Sequence, residues 1–233
     1  MNYTRQIVET ITCNLELPGA RVLEIGCGTA GNSVALAELG AEVYGVDLSR
    51  SALEHSRSTS DSKRQVLMLI QADAKHLPFA DESFDVIFHQ GFLEHFHHPD
   101  SFIMEQHRVL RDGGYLLVDV PQKYNLYTLY KHFLISIEKW NCGTWETQFS
   151  FNDLSLMLIN HGFHPTSFYG RDVFPYWISL RHQLIKLGDI LGRRHIDPII
   201  QSYDRMWSAY ETSKLGRNSL MCLGILAKKA LRT

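Results

Sequence analysis

The sequence predicts an α/β fold, a mostly parallel seven-stranded sheet with helices on both faces and a helical cap. Three observations predict it. Short apolar runs alternate with stretches of helical periodicity through about residue 121. The runs are continuously apolar, as strands covered on both faces should be. The first run also ends in a glycine-rich turn, Gly26–Gly31, that opens directly into a helix.

The elements follow in order. Residues 21–25 read as a buried strand and 31–39 as a helix stopped by Gly40. Residues 42–46 form a second strand ending at Asp47, after which Ser49 can cap a helix through Ala52, Leu53 and His55. Residues 66–70 and 84–88 read as the third and fourth strands. Pro99 starts a helix reaching Arg111, with Phe102, Ile103, Val109 and Leu110 inward. Asp112-Gly113-Gly114 reads as a turn, and residues 115–120 as the fifth strand. Beyond it, 152–161 reads as a helix capped by Asn152 and closed by Gly162. Residues 164–170 and 219–228 read as the last two strands. Between them, about 174–214 is mostly helical. The N-terminal stretch from Tyr3 to Leu15 also reads as a helix, placed to close over a bound cofactor.

Composition bounds the class. The chain has 233 residues, 45% hydrophobic and 21% charged, enough for one full-sized domain over 1–233. The core spans about 18–121, with cap insertions at about 121–150 and 174–214. A net charge of -2 offers no basic field, so no nucleic-acid partner is expected. Cys13, Cys27, Cys142 and Cys222 show no metal spacing and fit a reducing compartment. With no signal pattern and no apolar span of ~20 residues, a cytoplasmic protein is expected.

The turn after the first strand carries the chemistry. Glycines there let the backbone turn tightly and let a ligand approach without a Cβ in the way. The helix start supplies N–H groups and the positive end of a dipole. In open α/β sheets, ligands bind beyond the C-terminal ends of the strands. Gly26, Gly28 and Gly31, with Asp47 about twenty residues on, also satisfy the dinucleotide fingerprint. That keeps a nicotinamide-dependent oxidoreductase as one alternative, and a non-catalytic binding module as another. Glu24 separates them: a carboxylate two residues before the first glycine suits an amino-acid ammonium and repels a pyrophosphate.

The wider pattern resembles the class I S-adenosylmethionine-dependent methyltransferases, in the branch acting on small molecules and lipid precursors. The motifs are Val22-Leu-Glu-Ile-Gly-Cys-Gly-Thr29, Gly45-Val-Asp-Leu-Ser49, Ala72-Asp-Ala-Lys-His-Leu-Pro-Phe79, Phe84-Asp-Val-Ile87, Leu93-Glu-His95 and Arg108-Val-Leu-Arg-Asp-Gly-Gly114. The resemblance runs over about 18–121 and implies a Rossmann-like fold with S-adenosyl-L-methionine as cofactor. It implies that Glu24 and the Gly26 backbone, in the Gly26-Cys27-Gly28 loop, hold the methionine end. It implies that Asp47 accepts from the ribose hydroxyls and Leu48 lies against adenine. It places Asp73 and the Ala74 N–H at the adenine edge, with His89 and Gln90 flanking the methionine part. The chain departs from the family at Ala30, where many members carry a third glycine.

Methyl transfer needs alignment more than acid–base work. Proximity and orientation supply roughly 7–11 kcal/mol of barrier lowering, and a positioned base adds roughly 10²–10⁴-fold where the acceptor must lose a proton. His89 and His95 are the base candidates. The alternatives are that Leu93-Glu94-His95 is scaffold, with His97 and His98 on an exposed helix start, or that Glu94, His95, His97 and His98 bind a metal. Neighbouring side chains on a turn diverge, which disfavours the metal. No metal site is expected.

The acceptor is expected to be a small molecule or lipid-like. Tyr124, Tyr127, Tyr130, Phe133, Trp140 and Trp145 follow the fifth strand. They read either as a lid burying an apolar acceptor or as a helix packing its aromatics on the core. In 174–214, Phe174, Tyr176, Trp177, Tyr203, Trp207 and Tyr210 interleave with Arg181, Lys186, Arg193 and Arg194. This reads as a helical cap, with membrane-surface contact as the alternative.

Overall fold

The computed structural model describes residues 4–125, 128–130, 133, 136–137, 146–171, 180–212 and 220–231. Tyr3, Tyr127, Trp140, Cys142, Trp145, Phe174, Tyr176 and Trp177 lie outside the described residues, as do the side chains of Arg181 and Trp207.

The chain runs α1 (Thr4–Thr12), β1 (Arg21–Ile25), α2 (Gly31–Glu38), β2 (Glu42–Asp47), α3 (Arg50–Ser62), β3 (Met68–Gln71) and β4 (Phe84–Gln90). A single 3₁₀ turn at Leu93–His95 leads to α4 (Asp100–Val109) and β5 (Leu110–Pro121). Then come α5 (Phe151–Asn160), β6 (Phe163–Arg171), α6 (Leu180–Leu191), α7 (Arg193–Thr212) and β7 (Cys222–Lys229). The sheet order is β3-β2-β1-β4-β5-β7-β6. β1 to β5 are parallel, and β7 runs antiparallel between β5 and β6. Strand order reverses between β2-β1 and β4, which opens a crevice at their C-terminal ends.

Two cores hold the layers. On one face Val22, Val86, Phe88 and Leu117 meet Ile7, Ile11 and Leu36 from α1 and α2. On the other, Leu23, Ile25, Ile87 and Val118 meet Phe102 and Ile103 of α4 and Leu154 and Leu158 of α5. Alternate residues of each strand thus go to opposite faces. Each fully buried side chain of this kind contributes roughly 1.5–3 kcal/mol.

Several boundaries differ from the sequence reading, each for a local reason. α5 is capped by Ser150, not Asn152. The Ser150 hydroxyl accepts from the Asp153 N–H at 3.1 Å and the Asp153 carboxylate accepts from the Ser150 N–H at 3.2 Å, a reciprocal capping box. α4 ends at Val109 because β5 already begins at Leu110. Arg111–Gly114, read as a turn between elements, is an irregular stretch inside β5: the register with β4 shifts between Phe84 and Val86. Gly114 is needed there, since a Cβ would lie 2.9 Å from the Asp85 carbonyl oxygen. Lys229 secures the same stretch. Its buried Nζ donates to the Leu110 carbonyl at 2.7 Å and pairs with Asp112 at 3.1 Å.

The antiparallel end has its own tie. Tyr169 of β6 lies across Gly224 of β7, where a Cβ would fall inside its ring. Its hydroxyl donates to the buried Asp119 of β5 at 2.8 Å. One side chain therefore spans three strands near the edge where β5 ends.

Candidate active site

The loop after β1 is held by contacts within the protein. The N–H groups of Gly26 and Cys27 donate to the Val46 carbonyl at 2.8 and 3.2 Å, and Ala30 donates to Cys27 at 2.6 Å. Gly28 donates to Asp47 Oδ2 at 3.2 Å, and the Ser56 hydroxyl of α3 donates to the Gly28 carbonyl at 2.8 Å. Gly26 and Gly28 have φ of +66° and +51°. A Cβ on Gly26 would lie 3.0 Å from the Phe92 ring. Ala30 also takes a left-handed conformation, φ 54°, at the position where the resemblance expects glycine, and its methyl group is buried. The loop keeps its shape there against local strain.

Cys27 belongs to this scaffold. Its thiol is buried 3.5 Å from the Ser56 hydroxyl, and burial pushes it up to about 11. Gly45 makes room for it: a Cβ there would lie 3.1 Å from Cys27 Sγ. Cys222 is buried and Cys13 exposed.

The two acids differ. Glu24 is buried, and the Ser33 hydroxyl donates to its Oε2 at 2.5 Å. Desolvation raises its carboxyl to about 7, against the opposing hydrogen bonds of Ser33 and Asn32. Asp47, at the end of β2, accepts from Gly28 N–H and, at 2.8 Å, from Ser49 N–H. A carboxylate offers about four lone-pair sites, so both acids keep acceptor capacity beyond these bonds. Leu48 is 71% exposed, with its carbonyl pinned by the Gln71 side chain at 3.0 Å.

Beyond β3, Asp73 is exposed and accepts from Lys75 N–H at 2.9 Å; Ala74 is buried. Their loop is clamped from α4. Glu105 accepts from Leu77 N–H at 2.7 Å, and Arg108 donates to Glu105, to Asp81 and to the Phe79 and Leu77 carbonyls. Arg108 holds the Glu105 carboxyl below its ordinary value.

β4 brings in Gln90 and His89. Asn32 Nδ2 donates to Gln90 Oε1 at 3.0 Å, so Ser33, Glu24, Asn32 and Gln90 form one polar chain joining β1, α2 and β4. The Asn32 Oδ1 atom is buried without a partner. Asn32, Ser33 and Ser56 join this candidate site through Gln90, Glu24 and Gly28, and the motifs did not single them out. The polar pair Asn32-Ser33 at a helix start beside Glu24 was the available signal.

His89 sits on the α4 side, fully buried. Its ring is 5.5 Å from that of Phe92. Both ring nitrogens lack a hydrogen bond, as do both polar atoms of buried Gln106. Burial lowers His89 to about 3, with nearby Gln106 opposing weakly, so the ring is neutral. His95, in the 3₁₀ turn, is exposed, as are His97 and His98. Among the described residues, no three His, Cys, Asp or Glu side chains converge as a metal site. Of the aromatics after β5, Tyr124, Tyr130 and Phe133 are exposed, so these three do not pack on the core as one expectation had it.

The sheet order, the glycine turn at the strand reversal and the acid ending β2 define the class I methyltransferase fold. Residues 23–118 match the family model described as a methyltransferase domain. It is 32% identical over 127 residues to a fatty-acid O-methyltransferase of Mycolicibacterium smegmatis, covering 53% of this chain and 46% of that one. It is 33% identical over 128 residues to a demethylmenaquinone methyltransferase of Staphylococcus epidermidis, covering 51% and 53%. The chain thus spans about half the length of these curated relatives. A SAM-dependent methyltransferase structure from Methanosarcina mazei matches 95% of this chain and 97% of that one with a TM-score of 0.64 at 22% identity, a likeness of fold.

Proposed function

We propose that the chain binds S-adenosylmethionine and transfers its methyl group to a small-molecule or lipid-like acceptor. One observation carries the reading: a buried carboxylate, Glu24, stands two residues before a glycine turn that Asp47 fastens from the next strand. The residues fit the cofactor. Gly28 leaves room beside the loop, where an added Cβ would meet only the Gly26 carbonyl oxygen at 3.9 Å, and the buried Asn32 Oδ1 awaits a donor next to Glu24. Glu24 and Asn32 would take the ammonium, Asp47 the ribose hydroxyls, Leu48 one face of adenine, and Asp73 with the Ala74 N–H its edge. When bound, the cofactor supplies a methyl group already activated by its sulfonium.

The protein's own part is alignment and exclusion of water. Gln90, fixed by Asn32, flanks the methionine end. His95 is the base candidate that an acceptor can reach; His89, neutral and enclosed, backs Phe92 against the loop. The relatives' names support the acceptor class, since one methylates a fatty acid and another a demethylmenaquinone. A dinucleotide fits less well. Its pyrophosphate needs free loop N–H groups, and those of Gly26, Cys27, Gly28 and Ala30 are already bonded within the protein.

The test is incubation with methyl-labelled S-adenosylmethionine and a panel of fatty acids, quinols, phenols and amines. Labelled product from an apolar member is expected. Cofactor binding with no labelled product from any member would leave a non-catalytic module. His95→Ala should lower turnover roughly 100-fold or more on an acceptor that must lose a proton, with cofactor affinity unchanged. An equal loss in His89→Leu would move the base to His89.

A further inference from the structure

On the side of the sheet that faces α1 and α2, a row of polar side chains lies above an apolar layer. Val22, Phe88, Leu117 and Leu226 belong to that layer, on β1, β4, β5 and β7. Residues two apart along a strand return to the same face, and toward the rim these are Glu24, Gln90, Asp119 and Gly224. Strand register aligns the row. Gln90 pairs with Asp119, Asp119 with Gly224, and Gly224 with Tyr169 of β6. Tyr169 packs on the same apolar layer. Because Gly224 has no side chain, the Tyr169 ring crosses β7, and its hydroxyl donates to Asp119 Oδ2 at 2.8 Å.

Binding of the methyl donor uses only half of this row, Glu24 and Gln90. Asp119, at 1% exposure, is an acid buried at the rim, and burial of such a group is unfavourable unless it is bonded. A leucine there would simply extend the apolar layer. Gln90 and Tyr169 are half-buried on either side of it, so both ends of this half-row reach the surface. A phenol that donates its proton to one group still accepts at its oxygen from another. Neighbouring strands lie ~4.8 Å apart, and Asp119 stands one strand beyond Gln90. A hydroxyl fixed there lies beside, and not at, the place where Gln90 flanks the methyl donor.

We propose that Tyr169, held by Asp119, positions the methyl acceptor by accepting a hydrogen bond from an uncharged hydroxyl or N–H group next to the reacting atom. The proposal rests on the methyltransferase reading, which puts the acceptor beside Gln90. His95 stays the base candidate for the reacting atom itself. The row thus selects an acceptor with two neighbouring polar groups on an apolar body, of which one receives the methyl group and the other is read by Tyr169.

The test is calorimetry on the full chain saturated with S-adenosylhomocysteine. Two probes are titrated: the vicinal diol with the carbon chain of lauric acid, and the monomethyl ether of that diol, which keeps one hydroxyl and loses the other donor. The wild-type chain should bind the diol about ten-fold more tightly than the ether, the worth of one hydrogen bond. Tyr169→Phe should bring that ratio to roughly one by weakening the diol alone. Asp119→Asn keeps an oxygen for the Tyr169 hydroxyl and should retain most of the preference, whereas Asp119→Leu should lose it. A purely structural tie would weaken both probes alike and leave the ratio unchanged, and that result overturns the proposal. Equal affinity of the wild-type chain for the two probes overturns it without any variant. Failure to bind the diol, with S-adenosylhomocysteine still bound, overturns the proposal and spares the enzyme reading. Failure to bind S-adenosylhomocysteine removes both.

Discussion

The glycine-loop side and the β5 side of this molecule are built on opposite plans. Around the first two strands, nearly every polar group is held by another: Asp47 by two backbone N–H groups, Glu24 by Ser33, the Gly28 peptide at both ends. Beyond β5, the described side chains of Tyr124, Leu129, Tyr130, Phe133 and Ile137 face outward, as do Ile190 on α6 and Met206 on α7, 78% and 64% exposed. A rigid half suits a ligand whose shape never changes, because ordering costs are met on folding rather than on binding. An outward apolar half suits a partner bound by area and not by directed bonds.

The comparison can be broken most sharply at Asp47. Asp47→Ala removes the proposed ribose acceptor and frees Gly28 and Ser49, and charged hydrogen bonds of this kind are worth ~1.5–3 kcal/mol. Calorimetry should show S-adenosylmethionine affinity falling about 100-fold; wild-type affinity would contradict the assignment.

A smaller effect comes from Glu24. Its folded value of about 7 lies above the ordinary 4.5. Between those values the folded apo chain keeps a proton that the unfolded chain has lost. Stability therefore falls as pH rises through that window, on the order of 3 kcal/mol in all. An ammonium ligand selects the ionised form, so affinity should rise about 30-fold from pH 5.5 to pH 8 and release a proton below pH 7. Glu24→Gln should flatten both profiles, and unaltered profiles would place the titration elsewhere.

The smallest effect belongs to the other half. Ile190→Ser, at an outward site on α6, should shift stability by less than ~0.5 kcal/mol in urea unfolding. A loss above ~2 kcal/mol would show that this face is packed in solution.

What could be read in the sequence divides along the same line. The strands and the glycine turn were legible because each is a short contiguous pattern set by local geometry, and Asp47 and Asp73 follow the strands they end or succeed. The links between them were not. Asn32 meets Gln90 across 58 residues and Tyr169 meets Asp119 across 50, and no local pattern encodes such a meeting. Lys229 lies one residue past the strand read at 219–228, and it is buried against Leu110 and Asp112. The α5 cap was missed because Ser150 and Asn152 are both good caps, and only Asp153 reaching back decides between them. His89 is one of two base candidates that the sequence offers. Its burial depends on α4 packing over β4, which the sequence shows only as two separate apolar patterns.

The most direct test of the central claim is competition at the glycine loop. S-adenosylmethionine and NADH should be titrated separately into the wild-type chain at pH 8 in a calorimeter. Saturable binding of S-adenosylmethionine with one site per chain, undisturbed by excess NADH, is the predicted result. Saturable NADH binding that S-adenosylmethionine cannot displace would contradict it.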